Sequence, residues 1–68
     1  MKNNFLTPRE KEIFELLVKQ YDTETIADVL NISSKTVRNH ISNVIQKLGV
    51  QGRAQAVVEI IRLKEITL

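Results

Sequence analysis

Apolar residues recur along the chain at helical spacing, and no stretch alternates polar with apolar for long enough to predict a strand. Thr7-Pro8-Arg9-Glu10 sets a helix start: a capping threonine, proline at the first helical position and glutamate at the third. Ile13, Phe14, Leu16 and Leu17 then share one side. A first helix is predicted over about Pro8–Lys19, with Phe5 and Leu6 folded back on it. A second start lies at Asp22 or Thr23, and Ile26, Ala27, Val29 and Leu30 are the expected buried side of a short helix over 23–30. Asn31-Ile32-Ser33 interrupts it. Ser33 caps a longer helix, Ser34–Leu48, in which Val37, Ile41, Val44 and Leu48 form one stripe, and Gly49 stands where a helix-ending glycine belongs. A fourth helix is predicted over about Arg53–Leu63. The expected fold is all-α, four helices with short connections, as one domain over 1–68.

The second and third helices carry the most information. A short helix, a turn of about three residues and a long helix make the outline of a helix-turn-helix, with Ile32 placed to plug the angle and Asn31 standing where glycine is usual. Many helical domains have short turns, so the outline alone is unspecific. The long helix adds chemistry. At 100° per residue, Lys35, Asn39, Ser42 and Gln46 lie opposite the apolar stripe, flanked by Arg38 and Asn43, while Thr36, His40 and Lys47 share one shoulder. Arginine and lysine can read guanine edges, asparagine and glutamine can read adenine, and hydroxyls can read either. No carboxylate falls anywhere in 34–48, where an ordinary solvated helix carries a few. The helix start, with Ser34, offers free backbone N–H groups to a phosphate. His40 is expected to pack its ring against the apolar stripe, a position from which one nitrogen can still reach a phosphate.

Charge sharpens this picture. The net charge is only +2, but residues 1–32 hold four lysines and arginines against six acids, whereas 33–53 hold Lys35, Arg38, Lys47 and Arg53 with no acid at all. An anionic partner fits that asymmetry, although four cations on a solvated helix are common. Sixty-eight residues leave room for one small core. Without cysteine, with a single histidine and with two glycines, the chain lacks a thiolate metal site, a histidine relay and a phosphate-cradling glycine loop. Most enzyme classes are thereby excluded, and no catalytic residue, metal site or cofactor is expected. The longest apolar run is three residues, too short to span a membrane, and MKNNFLTPRE has no signal-peptide character. A cytoplasmic location is expected.

In L-T-P-R-E-K-E at 6–12, I-A-D-V-L-N-I-S-S-K-T-V-R-N-H at 26–40, I-S-N-V-I-Q-K-L-G-V at 41–50 and G-R-A-Q-A-V-V-E at 52–59, the chain resembles the LuxR/GerE-type helix-turn-helix family of bacterial transcription regulators. The T-V-R-N-H-I-S-N and Q-K-L-G-V runs are most similar to those of small stand-alone members from spore-forming bacteria. The resemblance implies a third helix in the major groove of double-stranded DNA and a homodimer formed mainly through the fourth helix. It implies base contacts at Arg38, Asn39 and Ser42, with Lys35 and Asn43 close by. Phosphate contacts are implied at Thr36, His40 and Lys47, beside the Ser34 helix start. An ion pair between Glu10 and Arg53 is also expected. The chain departs from the family at Glu24-Thr25, where Lys-Glu is frequent, and at Gln20-Tyr21, where glycine is.

The fourth helix supports the dimer independently. Ala56, Val57, Ile60 and Leu63 form one apolar stripe, while Ala54, Val58 and Ile61 form a second, with Arg62 beside it. So wide an apolar arc needs a second surface. Either a second copy covers it, or the N-terminal arm or the Ile66-Thr67-Leu68 tail does. The expected function is a sequence-specific transcription regulator binding inverted half-sites, with RNA polymerase a further candidate partner. Two rivals stand beside it: the DNA-binding output domain of a larger response regulator, which the starting methionine and lack of a linker disfavour, and a small helical adaptor that binds protein.

Overall fold

The computed structural model describes residues 5–66. Four α-helices follow one another: α1 Pro8–Val18, α2 Thr23–Leu30, α3 Ser34–Leu48 and α4 Arg53–Arg62. No strand occurs among the described residues, and each helix ends within one residue of its expected bounds.

Local chemistry fixes each boundary. The Thr7 hydroxyl accepts the Glu10 N–H at 3.1 Å while the Glu10 carboxylate accepts the Thr7 N–H at 3.0 Å, a complete capping box. Asp22 caps α2 through the Thr25 N–H at 2.8 Å, and Ser33 caps α3 through the Thr36 N–H at 3.0 Å. Asn31 ends α2 and Gly49 ends α3, both left-handed, with φ of 60° and 69°. Asn31 therefore supplies the turn that glycine usually supplies, and Ile32 follows it half-buried against the core.

α3 is the central element. It contacts α1, α2 and α4, whereas α2 and α4 do not touch. The core holds Leu6, Ile13, Phe14, Ile26, Ala27, Val37, Ile41, Val44, Ala56, Ile60 and Ile66. Its large side chains, Phe14 and Ile13 foremost, are fully enclosed, each contributing about 1.5–3 kcal/mol by burial. The expected stripes of α1 and α3 thus face inward, with Leu16, Leu17 and Leu48 half-buried at their edges.

Two expectations fail on packing. Val29 is 57% exposed: Ile26, Leu30 and Ala27 define the buried arc of α2, and Val29 sits roughly 110° from its centre. Leu63 is also exposed, because α4 stops at Arg62 and Leu63 is already its cap.

Candidate nucleic-acid interface

Ser33 starts α3 beside α2, and the amphipathic period then turns one whole side of the helix outward. Lys35, Arg38, Asn39, Ser42, Asn43 and Gln46 are all exposed on that side, and α3 has no carboxylate to oppose a polyanion. The side chains expected to read bases therefore share one free face, with two cations, three amides and a hydroxyl.

The shoulder residues behave differently from one another. Thr36 and His40 are half-buried, and the Thr36 hydroxyl lies 2.9 Å from the Ser33 hydroxyl. Ser34 is half-buried at the helix start, where Glu24 and Asp28 of α2 line the same shallow hollow as Ser33 and Ser34. Two carboxylates beside that start oppose the phosphate attraction expected of it.

Lys47 is exposed, and its ammonium also has partners inside the protein. Its ammonium donates to Glu10 Oε1 at 2.7 Å and to the Phe5 carbonyl at 3.2 Å, and it lies 5.3 Å from the centroid of the Phe5 ring. Glu10 is 4% exposed. Burial acts to raise its pKa, but the Lys47 hydrogen bond, the Thr7 N–H and the charges of Lys47 and His40 outweigh it, so the carboxyl titrates below its ordinary value. The expected Glu10–Arg53 pair does not form; Glu10 pairs with Lys47 instead, and Arg53 lies exposed at the start of α4. Nothing local in the sequence joins residues 10 and 47. The available signals were the capping box, which turns the Glu10 carboxylate inward, and the place of Lys47 on the shoulder of α3 rather than on its open face.

Among the described residues nothing covers the second stripe of α4. Val58 is 63% exposed, Ala54 is exposed and Ile61 is half-buried. Val50, Ala54, Gln55, Val58 and Glu59 line a shallow, mostly apolar groove there. Arg62 is exposed and ion-paired with Glu59 one turn back; the Arg62 hydrogen bond holds the Glu59 carboxyl below its usual range. Of the segments expected as alternative covers, the Phe5 arm is tied to Glu65 and Lys47, and Ile66 enters the core. Residues 1–4 of the arm and Thr67 and Leu68 of the tail lie outside the described residues. Among the described residues no cluster of His, Asp or Glu could hold a metal ion, and no helix is long and apolar enough to cross a membrane.

Comparison with known proteins adds to this geometry. The family model for bacterial regulatory proteins of the luxR family matches residues 4–60. The spore germination protein GerE of Bacillus subtilis (strain 168) is 64% identical over 63 residues, covering 93% of this chain and 85% of that protein. The transcriptional regulatory protein DegU of Brevibacillus brevis is 48% identical over 59 residues, covering 87% of this chain. The response regulator protein VraR of Staphylococcus aureus (strain NCTC 8325 / PS 47) is 49% identical over 53 residues, covering 78% of this chain. The match spans only 25% of the length of each of these last two proteins. A solved structure of the transcription factor GerE superposes with a TM-score of 0.91 at 62% identity, covering 93% of this chain and 94% of that one.

Proposed function

Because the chain belongs to the luxR family of bacterial regulatory proteins, a DNA-binding family of transcription regulators and not of enzymes, we propose that it reads a specific operator as a homodimer with α3 in the major groove. The observation that carries this reading is the open face of α3, which presents two cations and three amides with no acid. Arg38, Asn39 and Ser42 read base edges, with Lys35 and Asn43 at the margins. Thr36 and His40 stand where phosphates flank the groove. Two copies meet through the Val50–Ala54–Val58 groove, which buries the exposed stripe of α4. Two recognition helices related by a two-fold axis then meet inverted half-sites centred about 10 base pairs apart.

Binding to random duplex DNA as salt is raised tests this directly. Each phosphate contact contributes about 0.9 to the slope of log affinity against log salt, so four contacts in a dimer cost roughly 100-fold between 50 and 200 mM. A flat response, or no retention, would favour the protein-binding adaptor.

A second reading has one observation in its favour. DegU and VraR are each about four times as long as the matched segment, so the same fold can serve as the output domain of a larger regulator. The α3 surface works identically in that setting. Action in the cytoplasm, and contact with RNA polymerase once bound, complete the proposal for a regulator of this kind.

A further inference from the structure

We infer that Lys47 is a positioning residue: with Glu10 and the Phe5 backbone it forms a clasp that seats the last turn of α3 on the first turn of α1, and its charge is used inside the protein rather than on a DNA phosphate. The inference rests on the DNA-binding reading and replaces the phosphate contact that the family resemblance implies for Lys47.

The Lys47 side chain stays 35% exposed, but its ammonium is engaged within the protein. Of its three ammonium hydrogens, one is directed to Glu10 Oε1 at 2.7 Å and one to the Phe5 carbonyl at 3.2 Å. The Phe5 ring lies 5.3 Å away and also favours the cation. The same Glu10 oxygen accepts the Thr7 N–H at 3.0 Å, so one atom ties the capping box of α1 to the end of α3. Phe5 is anchored on its other side, where its N–H donates to Glu65 Oε2 at 3.2 Å. The clasp therefore joins the arm, α1, α3 and the segment after α4. A Lys47 that turned to a phosphate would leave a 4%-exposed carboxylate without its counter-ion, a larger penalty than an exposed lysine–phosphate contact offsets.

Position explains why this matters for reading. Arg38 lies nine residues before Lys47 on the same rod, about 13 Å along its axis. A tilt of roughly 5° at the clasp moves Arg38 by about 1 Å, more than a bidentate contact to a base edge tolerates. Releasing the clasp thus degrades discrimination between sequences, while general attraction to the phosphate backbone stays as it was.

The test compares the wild type with Lys47→Met, Lys47→Arg, Glu10→Gln and the Lys47→Met/Glu10→Gln double variant, each binding a selected operator and random duplex over a salt series. Wild-type binding itself judges the DNA-binding reading, separately from the clasp. The clasp predicts that K47M loses about tenfold or more of the operator-to-random ratio with its salt slope unchanged. E10Q should lose a similar ratio, the double variant no more than either single change, and K47R should stay within about threefold of wild type. A slope that falls by about 0.9 per subunit in K47M, with the ratio intact, would make Lys47 a phosphate contact and overturn the inference. A DNA-free measurement covers the case in which a variant binds too weakly to assay. NMR titration of the Glu10 carboxyl should show its pKa rise on going from wild type to K47M, and also show whether the variant is folded. An unmoved Glu10 titration in folded K47M overturns the clasp. Should K47M not fold, K47R carries the test: folded and discriminating supports the clasp, folded with discrimination lost overturns it.

Discussion

Replacing Val58 by aspartate separates the fold from the assembly. Val58 is 63% exposed and lies off the Ala56–Ile60 stripe that enters the core, so the isolated chain should lose no more than about 0.5 kcal/mol, as for other open surface positions. The dimer should respond very differently. Full burial of a valine contributes about 1.5–3 kcal/mol, and roughly two-thirds of that remains available at Val58, or about 1–2 kcal/mol per copy. Across a two-fold interface the loss doubles to about 2–4 kcal/mol, before the added cost of bringing two carboxylates together. At 1.4 kcal/mol per tenfold, affinity for a paired operator should fall at least about 30-fold, while affinity for a single half-site should be unchanged. Far-ultraviolet circular dichroism with a thermal melt reads the first part, and titration of paired against single half-sites reads the second. Undiminished cooperativity in V58D would remove this groove from the interface. An unfolded V58D would mean that the two stripes of α4 have been assigned the wrong way round.

Three other expectations follow from single sites. Arg38→Ala or Asn39→Ala should cost about 1–3 kcal/mol on the operator and relax base choice at the position each reads, measured by competition with singly substituted duplexes. Gln20 has φ 71°, a left-handed conformation that costs a side-chain-bearing residue about 1–2 kcal/mol; Gln20→Gly should therefore raise stability by about 0.5–1 kcal/mol in urea unfolding, after allowance for the looser unfolded chain. Glu10 titrates below its ordinary 4.5 in the fold, so its stabilising contribution is complete above about that pH and is lost as pH falls through the folded value. Melting temperature should drop with acidification below that point, and the drop should be weaker in K47M, where burial without Lys47 acts in the opposite direction.

The boundaries of the fold were legible because each is set by a few adjacent residues. Thr7 to Glu10, Ser33 and Gly49 carry their capping chemistry within one turn, and the stripes of α1 and α3 repeat long enough to define a face. The exposure of Val29 is not legible because α2 has only eight residues, in which two adjacent apolar pairs leave the centre of the buried arc ambiguous. The open face of α3 could be read for the same reason as its stripe: period alone places Lys35, Arg38, Asn39 and Ser42 opposite Val37, Ile41 and Val44. The fate of Lys47 could not. Its partners stand 37 and 42 residues away, and only the packing of α3 across α1 brings them together. The departure at Gln20-Tyr21, where the family often has glycine, also acquires a physical meaning: Gln20 is left-handed, a conformation that glycine adopts without strain.

The claim that α3 is the reading surface is tested most directly by mapping backbone amide shifts during titration with a selected half-site duplex, on which dimer contacts are not required. The largest changes are expected over Lys35–Gln46, with small ones along the Val50–Ala54–Val58 groove of α4. Changes centred on that groove, with the open face of α3 undisturbed, would contradict it.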